Sequence, residues 1–217
     1  MTLFESAQFT TSVATFGELN AAALAMLPEL AFVGRSNAGK SSVINTLANR
    51  RQLAYASKTP GRTQLLNFFQ LSQRGPDGAS AARAYAVDLP GYGFAKVDAS
   101  KRAAWDELAG GYLATRRFLV GVVLVMDARR PLVPADEALL VWLGRRVEAT
   151  RLRVHMLLNK SDQLNRAERA AALRLVERRI ETLPLDASAQ LFSARTREGL
   201  EELRATLAAI LERARPG

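Results

Sequence analysis

AFVGRSNAGKSSVINTL, residues 31–47, is the stretch that decides the fold. An apolar run typical of a strand leads into GRSNAGKS, and an amphipathic helical pattern follows. The pattern G-x-x-x-x-G-K-S between a strand and a helix is a P-loop, whose successive backbone N–H groups form a nest for phosphate. Glycine at positions 34 and 39 permits backbone geometries that a Cβ would resist. The stretch therefore predicts a site for nucleotide phosphates.

Two side chains of this loop have distinct predicted roles. Lys40 supplies a point charge for the β- and γ-phosphates, and the hydroxyl of Ser41 is a hard oxygen ligand of the kind that Mg²⁺ prefers. The helix that follows adds the positive end of its dipole. The predicted phosphate-binding residues are Gly34, Arg35, Ser36, Asn37, Ala38, Gly39, Lys40, Ser41 and Ser42.

Composition limits the remaining possibilities. The 217 residues fit one large domain, and 48% of them are hydrophobic. Without cysteine and with one histidine, disulfide, zinc–thiolate and histidine-triad chemistry are excluded. No apolar run reaches the length of a membrane helix, and the first residues lack a secretory pattern, so a cytoplasmic protein without membrane insertion is expected. The net charge of +9 indicates either an anionic partner such as RNA or an arginine-rich composition with scattered charges.

Apolar runs alternate with helical patterns along the chain. This alternation predicts an α/β fold of three layers, a P-loop NTPase domain with helices on both faces of a mostly parallel six-stranded sheet that has one antiparallel strand. Residues 29–217 would form this domain, and residues 1–28 an extension whose strand and loop pack on it. The polar stretch 72–83 is expected to be an extended hairpin loop. The predicted strands are 29–34, 65–71, 84–89, 118–127, 152–159 and 189–194, and the predicted helices are 39–50, 99–115, 134–149, 164–182 and 198–215.

VDLPG, residues 87–91, places a D-x-x-G pattern at the end of a predicted strand. Asp88 there can hold a Mg²⁺-bound water, and the backbone N–H of Gly91 can meet a γ-phosphate. The pattern alone is common by chance. Its position beside the P-loop strand gives it value and adds four predicted binding residues, Asp88, Leu89, Pro90 and Gly91.

NKSD, residues 159–162, follows another buried strand and selects the base. The carboxylate of Asp162 accepts from the N1–H and N2–H₂ donors of guanine, whereas adenine would leave it unpaired. Asn159 can brace the P-loop, and the stem of Lys160 can cover the base. The alternative is a helix N-cap formed by Ser161 or Asp162.

FSA, residues 192–194, follows the next strand, and the N–H of Ala194 could contact guanine O6. The motif is too short to carry weight alone. It completes the predicted base-binding set of Asn159, Lys160, Ser161, Asp162, Phe192, Ser193 and Ala194.

These motifs in this order resemble the TRAFAC-class GTPases of the TrmE–Era–EngA–EngB group. The strings FVGRSNAGKSSVINTL, SKTPGRTQLLNFF, DLPGYGFA, NKSD and FSA are similar to those of the EngB (YsxC/YihA) family of ribosome-biogenesis GTP-binding proteins, over roughly residues 9–213. The resemblance implies GTP hydrolysis to GDP and phosphate as a switch in large ribosomal subunit assembly. It also implies a need for the protein in normal septation and cell division.

The resemblance also assigns SKTPGRTQ, residues 57–64, to the first switch. It implies that Thr63 ligates Mg²⁺ in the GTP state, although the residues alone leave Thr59 an equal candidate. The implied metal ligands are Ser41 and Thr63, with Asp88 acting through water. The implied catalytic groups are Lys40, Thr63 and Gly91, and the switch adds Gly61, Arg62, Thr63, Gln64 and Leu65 to the nucleotide contacts.

Two positions bear on the rate of hydrolysis. The residue after D-x-x-G is Tyr92, which lacks the amide that orients water in Ras-like GTPases, so slow intrinsic turnover is expected. Asn37 matches the asparagine with which related GTPases such as TrmE bind K⁺ beside the phosphates. The alternative is that Asn37 only braces the loop.

Several alternatives remain open from the sequence. The protein could be a GTP/GDP-dependent scaffold in cell division with incidental hydrolysis, or a P-loop kinase or ATPase, which NKSD argues against. A monomer is expected, with the large ribosomal subunit or its precursor as partner. His155 lies in an apolar strand, where a core role is favoured. Phe68, Phe69, Tyr92 and Phe94 are read mostly as core, with Tyr92 and Phe94 as candidates for contact with a partner in one nucleotide state.

Overall fold

Strands and helices alternate along the chain from residue 29 onward, as the apolar pattern predicts. The computed structural model describes residues 2–22, 24–54, 65–75, 77–93, 103–147 and 152–214. The strands are β1 Gln8–Val13, β2 Glu29–Gly34, β3 Leu66–Arg74, β4 Ser80–Asp88, β5 Leu119–Asp127, β6 Arg153–Asn159 and β7 Asp186–Leu191. The helices are α1 Phe16–Ala21, α2 Lys40–Leu47, α3 Gly111–Thr115, α4 Pro134–Val147, α5 Arg166–Glu181 and α6 Leu200–Arg213, and a π-helical turn, Asp106–Gly110, precedes α3.

All seven strands belong to one sheet in the order β1-β3-β4-β2-β5-β6-β7. β3 runs antiparallel to both of its neighbours, and the central pairs from β4 to β7 are parallel. The predicted fold class and its one antiparallel strand are confirmed, but the predicted count of six strands is wrong, because the sheet has seven. The seventh strand is the N-terminal one, which joins the edge of the sheet by pairing with β3. The division of the chain at residue 28 stays a prediction.

Two apolar cores cover the two faces of the sheet. In β2, Ala31 and Val33 belong to one core, and Leu30 and Phe32 belong to the other, as the period of two in a strand requires. β2 is buried along its whole length, which is why it reads as a continuous apolar run. This burial fixes the P-loop at the carboxyl end of a rigid central strand.

The predicted element boundaries differ from the structure by three or more residues at the end of α2, which is Leu47 rather than residue 50, in the hairpin and at β7. β3 and β4 extend into the polar stretch 72–83, since β3 ends at Arg74 and β4 begins at Ser80. The outer part of this hairpin is largely exposed on both faces, and no apolar alternation marks it in the sequence. β7 begins at Asp186 rather than at residue 189, and Phe192–Ala194 lies after the strand. None of the helices in the described residues is long and apolar enough to span a bilayer.

Candidate nucleotide-binding site

The two P-loop glycines stand where side chains have no room. A Cβ at Gly34 would lie 2.6 Å from the carbonyl oxygen of Val125 on β5. Gly39 has φ +94°, and its Cβ would lie 2.3 Å from Asn159 Nδ2. Both positions therefore require glycine, one for packing against the sheet and one for a left-handed conformation against the loop after β6.

The residues between these glycines form the loop from which α2 starts. Asn37 also has a positive φ of 67°, and the N–H of Ala38 donates to the Arg35 carbonyl over 3.0 Å. Ala38 is buried, whereas Ser36, Asn37 and Ser42 are exposed and Arg35 and Ser41 are half-buried. The loop thus combines a fixed inner side with an outer side open to a ligand.

Lys40 and Asp88 form an ion pair with each other. β2 and β4 are parallel, and Phe32 pairs with Asp88, so the ends of the two strands lie side by side. The ammonium group of Lys40 donates to Asp88 Oδ1, and the two side chains are 11% and 7% exposed. In this structure the partner of Lys40 is thus a carboxylate beside the P-loop.

The donor set at this place fits Mg²⁺. Ser41 and Asp88 offer hard oxygen atoms, and among the described residues there is no cluster of three His, Cys, Asp or Glu side chains. Mg²⁺ keeps several waters and is held by one or two protein oxygens together with phosphates, so a sparse protein contribution is what it requires.

The D-x-x-G segment continues the sheet toward the P-loop. The N–H of Leu89 donates to the Phe32 carbonyl, and Tyr92 forms a bridge with Arg35. A Cβ at Gly91 would lie 3.2 Å from the Ser36 nitrogen, so Gly91 sits directly beside the loop. Tyr92 is buried, and its hydroxyl donates to Asp136 Oδ1 over 2.7 Å, which turns the ring away from any role as a water-orienting group.

The loop after β6 is bonded to the P-loop and to the loop after β7. Asn159 Nδ2 donates to the Ala38 carbonyl over 2.9 Å, and Asn159 Oδ1 accepts from the Ala194 N–H over 3.2 Å. The predicted brace between Asn159 and the P-loop is therefore present. The Ala194 N–H, predicted to face guanine O6, is directed here at Asn159.

Asp162 has one satisfied and one unsatisfied oxygen. Its Oδ1 accepts from the Ser193 hydroxyl over 2.7 Å. Its Oδ2 is buried, and no group among the described residues donates a hydrogen bond to it. Arg195 Nη1, on a largely exposed side chain, lies 3.6 Å from it, beyond hydrogen-bond distance. A buried carboxylate oxygen without a donor is costly, and the N–H edge of guanine supplies what it lacks.

The helix-cap alternative for NKSD is wrong. α5 is capped by Asn165, whose side chain accepts from the Glu168 N–H over 3.0 Å while Glu168 Oε2 accepts from the Asn165 N–H. Ser161 is instead fully buried, and its N–H donates to the Phe192 carbonyl over 3.1 Å. The motif residues are thus held by the loop after β7.

Asp127, at the end of β5, is a site residue that the sequence patterns did not indicate. Lys160 donates to Asp127 Oδ2 over 2.9 Å and to the Asn37 carbonyl over 2.7 Å. Burial raises the pKa of Asp127, but hydrogen bonds from Arg129 and Lys160 outweigh it and hold the pKa below its usual range. The signal was positional, because Asp127 pairs in register with Asn159 across two parallel strands.

Part of the predicted site lies outside the described residues. This applies to Gly61, Arg62, Thr63 and Gln64, to the alternative Thr59, and to Phe94. Leu65 is half-buried immediately before β3.

A mostly parallel sheet with a P-loop, D-x-x-G, NKSD and FSA at the carboxyl ends of its strands defines a P-loop GTPase. The family model described as "50S ribosome-binding GTPase" matches residues 29–160. The chain is 47% identical over 208 residues to "Probable GTP-binding protein EngB" of Laribacter hongkongensis, covering 96% of this chain and 86% of that protein. It is 43% identical over 216 residues to the Neisseria meningitidis protein of the same name, covering 99% and 95%.

The chain belongs to the EngB family of GTP-binding proteins, as the resemblance predicted. It binds GTP and GDP and is a GTPase. Two solved structures share the fold. A crystal structure of a probable GTP-binding protein EngB has a TM-score of 0.58 at 18% identity, covering 85% of this chain and 99% of that one. Era in complex with MgGDPNP and 16S ribosomal RNA nucleotides has a TM-score of 0.60 at 21% identity, covering 88% and 58%.

Proposed function

We propose that this protein is a Mg²⁺-dependent GTP switch that acts in assembly of the large ribosomal subunit. The observation that carries the nucleotide part is the buried Oδ2 of Asp162, which lacks a donor while Ser193 fixes the other oxygen. Guanine offers the missing donors and adenine does not. A kinase or ATPase built for adenine would leave this carboxylate unpaired.

The phosphate end works by exchange of partners. Lys40 leaves Asp88 for the β- and γ-phosphates, which frees Asp88 to accept from a water. Ser41 and Thr63 would hold Mg²⁺, which supplies positive charge beside the transferring phosphate when bound. The N–H of Gly91 donates to the γ-phosphate, so GTP makes a contact with the D-x-x-G segment that GDP cannot make. Water is the acceptor of the phosphoryl group.

Intrinsic hydrolysis is proposed to be slow. The hydroxyl of Tyr92 is already committed to Asp136, and Tyr92 has no amide with which to orient water. Asn37 is exposed and has a positive φ, so its side chain is open to a ligand at the edge of the phosphate nest. K⁺ held there would stabilise charge that develops in the transition state. Equal hydrolysis rates in KCl and NaCl would exclude this role.

The partner is proposed to be the large ribosomal subunit or its precursor. The matching family model is described as a ribosome-binding GTPase, and the net charge of +9 favours association with RNA. Affinity for the subunit should then fall steeply as the salt concentration rises. The roles in septation and cell division, the cytoplasmic location and the monomeric state remain predictions.

A second candidate is a GTP/GDP-dependent scaffold in cell division, in which hydrolysis is incidental. The engaged hydroxyl of Tyr92 favours it, because the residue after D-x-x-G has no amide and its hydroxyl is bonded to Asp136. The two functions differ in whether large subunits accelerate turnover.

The test is GTP hydrolysis by the purified chain in KCl, with and without large ribosomal subunits. Small subunits and free ribosomal RNA serve as matched partners of similar charge. Acceleration by large subunits alone supports the assembly switch. Binding of GTP with no acceleration by any partner supports the scaffold, and preference for ATP over GTP would overturn both.

A further inference from the structure

A buried hydrogen bond joins the D-x-x-G segment to the first turn of α4. The Tyr92 hydroxyl donates to Asp136 Oδ1 over 2.7 Å, and Asp136 Oδ2 accepts from the Val133 N–H over 3.2 Å. Asp136 is 1% exposed. One carboxylate therefore both stabilises the start of a helix, as the acidic member of a capping box does, and holds Tyr92.

The main chain of Tyr92 is fixed at the same time. Its N–H donates to the Gly34 carbonyl over 3.3 Å, and its carbonyl accepts from the Ser36 N–H over 3.3 Å. These bonds continue the parallel pairing of β2 and β4 past Asp88 and onto the P-loop itself. Tyr92 is thus anchored to the P-loop by its backbone and to α4 by its side chain.

The other side of Gly91 is anchored as well. The indole N–H of Trp105 donates to the Pro90 carbonyl over 2.9 Å, and its ring packs edge-on against Tyr92 with centroids 6.1 Å apart. Gly91 lies between these two anchors, next to Ser36 of the P-loop. A peptide held on both sides has little freedom to change the direction of its N–H.

We propose that Asp136 is a positioning residue for GTP: by holding Tyr92, it fixes the Gly91 peptide where its N–H meets the γ-phosphate. The inference rests on the proposed contact between Gly91 and that phosphate. It gives Tyr92 a defined task at the position after D-x-x-G, namely to anchor the segment. Because GDP has no γ-phosphate, loss of the anchor should weaken GTP binding and leave GDP binding nearly unchanged.

The chain contains a matched control for this hydrogen bond. Tyr112 is buried on α3, and its hydroxyl donates to Oε2 of the buried Glu29 over 2.8 Å. The chemistry is the same, a tyrosine hydroxyl on a buried carboxylate. Glu29, however, begins β2, whereas the P-loop follows its other end, about 17 Å away along a six-residue strand. Tyr112→Phe should affect folding stability and no nucleotide contact.

The experiment measures the affinities of fluorescent GDP and of a non-hydrolysable GTP analogue for five proteins. These are the wild type, Tyr92→Phe, Asp136→Asn, the double variant and Tyr112→Phe. In Tyr92→Phe and Asp136→Asn we expect affinity for the GTP analogue to fall roughly five- to tenfold and affinity for GDP less than twofold. Asparagine has one carbonyl oxygen in place of two, so it cannot accept from both Tyr92 and Val133, and it replaces the charge-assisted bond to the Tyr92 hydroxyl by at most a weaker bond from its amide. The double variant should resemble the single ones, because each substitution disrupts the same hydrogen bond, the one between Tyr92 and Asp136.

Each outcome is decisive. Equal loss of GTP and GDP affinity, no loss of either, or the same GTP-specific loss in Tyr112→Phe would overturn the proposal. If Asp136→Asn fails to fold, Tyr92→Phe alone decides, and Trp105→Phe, which removes the bond to Pro90, provides the second variant. A different result would contradict the proposed function itself: wild-type protein that binds the ATP analogue as tightly as the GTP analogue.

Discussion

The base end and the phosphate end of the site differ in how far they are assembled without a ligand. At the base end, the hydrogen bonds are already formed. The P-loop accepts bonds from Asn159 and Lys160, and Asp162 accepts one from Ser193. At the phosphate end, Lys40 is bonded to Asp88, a partner that it must give up. The base therefore meets fixed atoms, whereas the phosphates must displace an existing contact.

This difference suits a switch. The base is common to GTP and GDP, so the part of the site that reads it has no reason to move between the two states. The γ-phosphate is the part that differs, and its proposed partners are the Gly91 N–H and Lys40, whose ammonium group is bonded to Asp88 in the free protein. Preorganised bonds give affinity and selectivity for the base, whereas GTP and GDP are distinguished by contacts that form only at the phosphate end.

The largest expected effect is on base selection, through Asp162→Asn. The asparagine carbonyl still accepts from Ser193. Its amide N–H groups, however, would face the N1–H and N2–H₂ groups of guanine, so neither side offers an acceptor. Xanthine has a carbonyl in place of the 2-amino group, so preference should move from GTP toward XTP, with the ratio of affinities changing on the order of 10⁴-fold. Competition binding with both nucleotides measures the ratio.

The matched control for base selection is Asp186→Asn, which changes an exposed aspartate paired with Arg153 at the start of β7. It should leave the ratio of affinities unchanged. An Asp162→Asn protein that still prefers GTP would mean that the base end does not read guanine through this carboxylate.

At the phosphate end, Lys40→Met tests the exchange of partners. It should lower the affinity for GDP and GTP roughly 100-fold or more, because charge-assisted bonds to phosphate are lost. It should also destabilise the free protein by about 3 kcal/mol, because Asp88 remains as a buried charge without its partner. Denaturant unfolding of the nucleotide-free protein measures the second effect.

The double variant Lys40→Met/Asp88→Asn separates the two effects. It should recover most of the stability of the free protein and none of the affinity, since the buried charge is gone but the phosphates still lack their lysine. A double variant as unstable as Lys40→Met would show that the unpaired Asp88 charge does not cause the loss of stability, and the contrast between the two ends would then lose this support.

Asn159 connects the two ends, so Asn159→Ala should affect both. It removes the bonds to the Ala38 carbonyl and the Ala194 N–H, and we expect nucleotide affinity to fall roughly 30- to 100-fold, or about 2–3 kcal/mol. Asn165→Ala is the control, since it removes a helix cap, costs about 1 kcal/mol of stability and should leave affinity unchanged. Equal affinity losses in the two variants would indicate a general effect of destabilisation.

Much of the site was predictable because its residues follow one another in short motifs at strand ends. The loop containing Lys40 and the NKSD segment each combine a pattern with a place in the alternation of strands and helices. Asp127 and Asp136 were not predictable in this way, because they act through partners 33 and 44 residues distant that only the parallel pairing of strands and the packing of α4 bring near. The hairpin itself was predicted, but the extension of β3 and β4 into it was not, because its outer residues are largely exposed and show no apolar alternation.

The smallest expected effect is a loss of folding stability at low pH. It arises from a histidine in the sheet and should not change nucleotide affinity. His155 on β6 is buried, with Nδ1 2.9 Å from Ser188 Oγ and Nε2 3.0 Å from Gln190 Oε1. Burial lowers the pKa of His155 to about 4, partly opposed by the hydrogen bond that Gln190 Oε1 accepts from the ring. The unfolded chain, with a histidine pKa near 6.5, then binds more protons than the folded one as pH falls from about 6.5 to about 4.

Stability should therefore decrease on acidification, by about 1.4 kcal/mol between pH 7.5 and pH 5.5, and the loss should be absent in His155→Gln. The raised pKa of Asp136 acts in the opposite direction and is common to both proteins, so the difference between their pH profiles isolates the histidine. Urea unfolding at each pH measures it. GDP affinity should stay constant from pH 7.5 to pH 6.5, because the bonds of the base end involve none of these titrations. A parallel fall of GDP affinity with stability would mean that the base end is less independent of the sheet than its bonds suggest.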